Sequence, residues 1–291
     1  MIVIAHNRDV DGLGCHALVK RYCMKRECKL IHIFADYDDI EKILKRLDVK
    51  NERIIVADLA YKRIFGKEIK RIALKNDIVW IDHHNAEFPV PVKSIIKKTD
   101  SAAVLLKEYL KLSDWVSMRI AEVASNHDQR RDDPLAFKLY DVISSGFSKR
   151  RYVELLSNGF LWQNEFEKAY RDYLKIKEKA FNELEKNIKE YAVRSYRIAI
   201  ALSPKTLSST IACDFLKNKG YDVIIAVWND GKMSFRKNNK RINLIDIAKS
   251  FGGGGREDAS GAYLGKKVDK SNFDKIADEI FEKIKSGSFL P

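Results

Sequence analysis

The sequence predicts an α/β protein: a mainly parallel sheet with helices on both faces, linked by a long helix to a smaller α/β domain. In the first half, short apolar runs alternate with amphipathic stretches, the pattern of strand–helix–strand crossovers. From Trp162 to Tyr191 a heavily charged stretch has neither Gly nor Pro, as a long exposed helix requires, and strand-like runs resume beyond it.

Taken in order, MIVIAH, LIHIFA (30–35), RIIVADL (53–59) and DIVWIDHH (77–84) read as buried strands bounded by charged or turn residues. Stretches 12–26, 39–47 and 66–75 have the helical period between them. From Asp100 to Lys175 the pattern turns helical, with candidate segments at 101–112, 114–128 and 133–147. After the charged stretch, YRIAIAL, DVIIAVWND and KMSFRKN read as strands. A helix at 243–251, a glycine run, the strand-like ASGAYLG and a last helix at 271–286 follow. The expected division is a domain at 1–161, a helical connector at 162–192 and a second domain at 193–291.

Composition narrows the class of partner. A hydrophobic content of 45% over 291 residues excludes a disordered chain and suffices for two cores. With 54 Lys+Arg against 41 Asp+Glu, the net charge of +13 attracts polyanions, so nucleic acid or nucleotides are the natural partners. A Lys-rich chain with only two Gln residues (Gln129, Gln163) also fits a thermophile surface, so charge alone identifies no site. Cys15, Cys23, Cys28 and Cys213 form no CxxC pair, and small buried hydrophobes are expected rather than a zinc ribbon or disulfide framework. The opening apolar run Ile2 to Ala5 is too short for a signal peptide or membrane span, so a cytoplasmic location without a membrane partner is expected.

In parallel sheets, ligands gather beyond the carboxyl ends of the strands. The unusual polar residues stand at those ends: Asp9 and Asp11 after the first run, Asp58 closing the third, and Asp82, His83 and His84 closing the fourth. Asp9 and Asp11, two residues apart, can present oxygen to different divalent ions, and Gly12 permits a tight turn. Asp58 ends a buried run, where a lone carboxylate is costly unless it is paired, bound to metal or used as a helix cap. Neutral imidazole and carboxylate suit a Mn²⁺-like ion, and three of the six histidines (His6, His83, His84) lie beside carboxylates at strand ends, with His127-Asp128 farther along. In the second domain, Gly252, Gly253, Gly254 and Gly255 are expected to leave backbone N–H groups bare as an anion-receiving nest.

The order D-x-D-G, a strand-ending Asp, D-H-H, a later Asp and a small domain with a glycine run resembles the DHH phosphoesterases with their associated C-terminal domain. That family includes RecJ-type nucleases, oligoribonucleases that also dephosphorylate 3′-phosphoadenosine 5′-phosphate, and cyclic-dinucleotide phosphodiesterases. The resemblance implies two Mn²⁺ ions, with Mg²⁺ or Co²⁺ as substitutes. It places His6, Asp9 and Asp58 on one ion and Asp11, Asp58, His83 and Asp128 on the other, with Asp132 and Asp133 as competitors for the last position. It implies that Asp82 holds its neighbours in place and His84 faces the scissile phosphate. It also matches Arg236 to the family's strand arginine and puts Arg256 where the family usually has His, so that both clamp substrate phosphate. The implied partners are short RNA, single-stranded DNA and nucleotides. A homodimer and association with replication proteins are left open. If His6 and His83 ligate metal with ordinary imidazole pKa values, metal should be lost below about pH 6.

Overall fold

The computed structural model describes residues 1–84, 89–98, 101–207, 209–287 and 289. The chain forms two compact units, Met1–Tyr173 and Leu174–Pro291.

The first unit is built on five strands, β1 (Ile2–His6), β2 (Ile31–Ala35), β3 (Arg53–Ala57), β4 (Asp77–Asp82) and β5 (Lys93–Ile96). All neighbours are parallel, in the order β2-β1-β3-β4-β5. The helices are α1 (Val10–Met24), α2 (Ile40–Arg46), α3 (Gly66–Ala73), α4 (Ala102–Tyr109), α5 (Trp115–Asp128), α6 (Pro134–Ser144) and α7 (Lys149–Ser157). Strand side chains alternate between two cores. Val3, Ala5, Ile55, Ala57, Val79 and Ile81 face the core that contains α1, α4, α5 and α7, while Ile2, Ile4, Ile54, Val56, Ile78 and Trp80 face α2 and α3. Each large aliphatic buried this way contributes about 1.5–3 kcal/mol. From β1 the chain passes to β2 on one side and then to β3 on the other, so the strand order reverses at β1/β3. Reversals of this kind place a crevice at the carboxyl ends of the strands.

The second unit follows α8 (Asn164–Lys186), inside which the boundary falls. It contains β6 (Ile188–Val193), β7 (Tyr196–Leu202), α9 (Ser209–Lys217), β8 (Val223–Val227), β9 (Lys232–Lys237), α10 (Leu244–Ser250), β10 (Gly254–Gly255), β11 (Ala259–Tyr263) and α11 (Phe273–Ser286). The sheet order is β10-β11-β9-β8-β7-β6, parallel at β7–β8 and antiparallel elsewhere.

Several expectations are corrected. The connector is not helical to residue 192: α8 stops at Lys186, where Asn187 donates from its side chain to the Glu183 carbonyl and from its backbone to the Leu184 carbonyl. Residues 188–193 instead form an edge strand, whose half-exposed, polar sequence hid the alternation. β5, another half-exposed edge strand, was not expected, and α7 lies in the stretch read as helical without being one of its three candidate segments. The fourth strand ends at Asp82, leaving His83 and His84 in the bend beyond it. Cys23 and Cys28 form a disulfide, so only Cys15 and Cys213 match the expected buried, free thiols. Asp100, where the helical region was expected to begin, lies outside the described residues.

Candidate metal centre

The strand order gathers the expected ligands. His6 is the last residue of β1 and is 8% exposed; Asp58 follows β3 and is 2% exposed. Asp58 adopts a left-handed backbone (φ 53°), which non-glycine residues rarely do and which concentrates at functional positions. Its amide still donates to the Ile81 carbonyl at 3.1 Å, so the turn is fastened to β4 while the side chain is left for the crevice.

Asp58 lies between two imidazoles. Its Oδ2 is 3.6 Å from His6 Nδ1 and its Oδ1 is 3.6 Å from His83 Nε2. Two groups with ligand atoms close enough to share an ion emerge, His6/Asp9/Asp58 and Asp58/Asp82/His83/His84, and Asp58 belongs to both. Asp9 caps α1, accepting from Gly12 N at 2.9 Å with Oδ1, while its Oδ2 lies 2.7 Å from His6 Nδ1. Asp11 accepts from Ala102 N and Ala103 N, both at 2.7 Å, and its Oδ2 is 3.8 Å from His83 Nε2. Asp128, the last residue of α5, has Oδ2 at 3.6 Å from His83 Nδ1. Asp133 is occupied elsewhere as the cap of α6, and Asp132 makes no contact with the cluster among the described residues. Asp82 Oδ1 accepts from the His83 amide and faces His84 Nδ1, both at 2.9 Å.

Gly12 has a different role from the expected turn. It lies inside α1, where a Cβ would come within 2.2 Å of the His6 carbonyl oxygen. The missing side chain lets the helix start against the end of β1 and brings Asp9 and Asp11 beside His6.

The electrostatics are those of crowded carboxylates sharing two imidazoles. Burial, followed by the charges of Asp58 and Asp9, pushes the Asp11 carboxyl well up; burial and Asp9 also raise Asp58. Burial opposes protonation of His6, but Asp58 and Asp9 outweigh it and raise the imidazole to about 10. Burial likewise opposes protonation of His83, yet Asp58, Asp11 and Asp128 push it up to about 9. Asp58 Oδ2, Asp82 Oδ2 and His83 Nε2 are buried without a hydrogen-bond partner among the described residues. Such atoms cost about 1–3 kcal/mol each unless something satisfies them. Divalent cations fit this donor set: oxygen and imidazole nitrogen, with excess negative charge and orphaned lone pairs.

Sequence reasoning missed Asp36, which is 9% exposed just after β2, with Oδ1 3.7 Å from His6 Nε2. The available signal was the same as for Asp58, a carboxylate closing an apolar run. Asn7 was also missed; it is 6% exposed and accepts from Lys149 Nζ at 2.6 Å.

In the second unit, the expected bare glycine amides are not found at the start of the run. Gly252 N donates to Lys249 O at 2.9 Å and Gly253 N to Ala248 O at 2.8 Å, with φ 72° at Gly252. This is a Schellman stop for α10. Gly254 and Gly255 pair with Gly261 and Ser260, and a Cβ on Gly253 would meet Gly261 O at 2.1 Å. The glycines are thus needed for helix termination and close strand approach. A pocket of about 460 Å³ beside Gly252 and Gly253 is lined by Trp228, Lys232 and Tyr263 but not by Arg236 or Arg256. Arg236 Nη1 donates to the Phe235 carbonyl at 2.8 Å; Arg256 is largely exposed, with Nε 3.4 Å from Asp258.

Comparison with known proteins agrees with this architecture. No curated protein matches the sequence. Exonuclease RecJ bound to manganese superposes with a TM-score of 0.66 at 13% identity, covering 100% of this chain and 90% of that one. The pGpG-specific phosphodiesterase PggH from Vibrio cholerae gives 0.62 at 15% identity and 99% of both chains. CDC45 from Entamoeba histolytica gives 0.54 at 9% identity, covering 97% and 94%. At these identities the likeness is one of fold. The DHH family N-terminal domain matches residues 1–146 and the DHHA1 domain residues 199–286. The chain therefore belongs to the DHH family, whose members are metal-dependent phosphoesterases, and carries a DHHA1 domain after its DHH domain.

Proposed function

We propose that the protein is a phosphodiesterase that removes nucleotides from short RNA or single-stranded DNA, using two divalent cations, with Mn²⁺ the preferred ion. The observation that carries this reading is the shared carboxylate: Asp58 offers one oxygen toward His6 and the other toward His83. His6, Asp9 and Asp58 would hold one cation, and Asp11, Asp58, His83 and Asp128 the other. When bound, the cations supply positive charge to the phosphoryl oxygens and acidify water for in-line attack.

The remaining groups position and move protons. Asp82 fixes the His83 backbone and the His84 ring with one oxygen. That hydrogen bond to Asp82, working against burial, raises the His84 pKa and favours the protonated ring. With Nδ1 engaged, Nε2 of this part-exposed ring is left to donate to a phosphate oxygen. In the C-terminal unit, Arg236 and Arg256 would hold phosphate through charge-assisted hydrogen bonds.

A second reading, hydrolysis of dinucleotides or of 3′-phosphoadenosine 5′-phosphate, is favoured by the pocket beside Trp228 and Tyr263, whose volume of about 460 Å³ suits one nucleotide. A non-catalytic nucleic-acid-binding role is disfavoured, because every acidic residue expected to hold metal is present. The deciding experiment incubates the Mn²⁺-loaded protein with end-labelled RNA and DNA of graded length. Linear and cyclic dinucleotides and 3′-phosphoadenosine 5′-phosphate are tested in parallel. Stepwise shortening of the oligonucleotides supports the proposal; turnover of nucleotides alone supports the second reading.

A further inference from the structure

We propose that the N-terminal unit carries a second phosphate-binding site, in the pocket between α1, the start of β2 and α7, which takes a backbone phosphate of a single-stranded nucleic acid away from the bond being cut. The proposal rests on the nuclease reading above and would make the enzyme favour strands longer than a dinucleotide.

The pocket has a volume of about 410 Å³, and its polar lining is Lys20, His32, Arg150 and Glu154. The acid is drawn away from the cavity's cations: Glu154 Oε2 is 3.1 Å from Arg151 Nη1, a guanidinium that it shares with Glu165. Neither Lys20 nor Arg150 has an acidic partner among the described residues. Two cations therefore face the cavity against a single acid, which leaves its lining net positive.

The histidine in the wall is held in place from behind. His16 is fully buried, and its Nε2 lies 3.4 Å from the Ala5 carbonyl oxygen, which can only accept. Nε2 of His16 thus carries the proton and its Nδ1 is bare, so His32 Nδ1 must donate across the 3.1 Å between the two rings. That leaves His32 Nε2 as a bare lone pair with no partner among the described residues. Burial first, then Lys20 and Arg150, lower the His32 pKa to about 4.

The pocket is connected to the metal centre through α7. Lys149, next to Arg150, donates to Asn7, and Asn7 follows His6. His32 lies three residues before Ala35, which pairs with His6, so the pocket is set back from the strand ends by roughly 10 Å at about 3.3 Å per residue. A basic path of this length can follow a nucleic-acid backbone leaving the metals.

The test is the double variant Lys20→Ala/Arg150→Ala, Arg150 being exposed and Lys20 half-buried. With metal-free protein, anisotropy of a labelled single strand should show roughly tenfold weaker binding, the scale of losing charge-assisted hydrogen bonds. The slope of log affinity against log salt should flatten by about 0.7 per lost contact. Turnover of a linear dinucleotide should keep its KM and kcat, while KM for longer strands rises. In the parent protein, addition of the strand should raise the His32 pKa as followed by NMR. Unchanged affinity and salt slope in the variant would overturn the proposal, as would an equal rise of KM for the dinucleotide. Absence of hydrolysis of every nucleotide would sink the nuclease reading alone, because the binding measurement does not require turnover.

Discussion

Asp58 combines an unusual backbone conformation, near-complete burial and two imidazole neighbours, so its replacement separates the shared-carboxylate arrangement from an ordinary acid pocket. Asp58→Asn should reduce phosphodiester hydrolysis by more than about a hundredfold, beyond the 10–100-fold typical of groups that only support a ligand. It should also lower bound metal, measured by elemental analysis after gel filtration. Asp48→Asn, at an exposed position, should leave both unchanged. Asp82→Asn should fall within about 10–100-fold with metal still bound, because Asp82 acts through His83 and His84. The pH window also moves from the one expected for ordinary imidazoles. With His6 raised to about 10 and His83 to about 9, protons compete with metal far above pH 6. Metal affinity should therefore climb with pH through neutrality and level off near the higher of these values. Calorimetry in buffers of different ionisation enthalpy should detect proton release on Mn²⁺ binding at pH 7. Metal binding without proton release would show that His6 and His83 are not protonated at pH 7 in the metal-free protein.

The turn from β1 into α1 is the element on which the cluster depends. Gly12→Ala would drive a methyl group into the His6 carbonyl and displace Asp9 and Asp11 together, so metal binding should fail even if the chain still folds. Gly14→Ala, two residues later, meets side chains no closer than 3.5 Å and removes a helix-interior glycine. It should be neutral or stabilising by up to about 1 kcal/mol in thermal unfolding. Elements of this kind were legible in the sequence because an apolar run ending on a carboxylate or histidine is unusual, and parallel strands put such endings on one side. Asp36 escaped notice because its neighbours, in DYDDI, read as an ordinary turn. β5 and β6 escaped because edge strands need to bury little, and their sequences lack a clear alternation. The glycine run was misread for another reason. Whether a glycine amide is bare depends on where the preceding helix stops, and the bond from Gly253 back to Ala248 is a property of the folded turn.

For the whole molecule, the ligand candidates lie between His6 and Asp128, while Arg236 and Arg256 belong to the C-terminal unit. Arg236→Ala and Arg256→Ala should impair oligonucleotide cleavage strongly while sparing a small ester such as bis-p-nitrophenyl phosphate, because only a chain must be held in register. Equal losses on both substrates would place the arginines in the chemistry itself. The residues around Asp58 come from β1, α1, the β3 and β4 ends and α5, separated by up to 122 positions between His6 and Asp128 (128 − 6). An ion held there ties together segments remote in the chain and relieves carboxylates that resist being charged side by side. Metal is thus expected to be part of the fold's cohesion as well as its chemistry. A hundredfold excess of Mn²⁺ over its Kd should add about 2.7 kcal/mol. In a unit of this size that corresponds to a rise in Tm of roughly 5–10 °C over the chelated protein, and Asp58→Asn should abolish the difference.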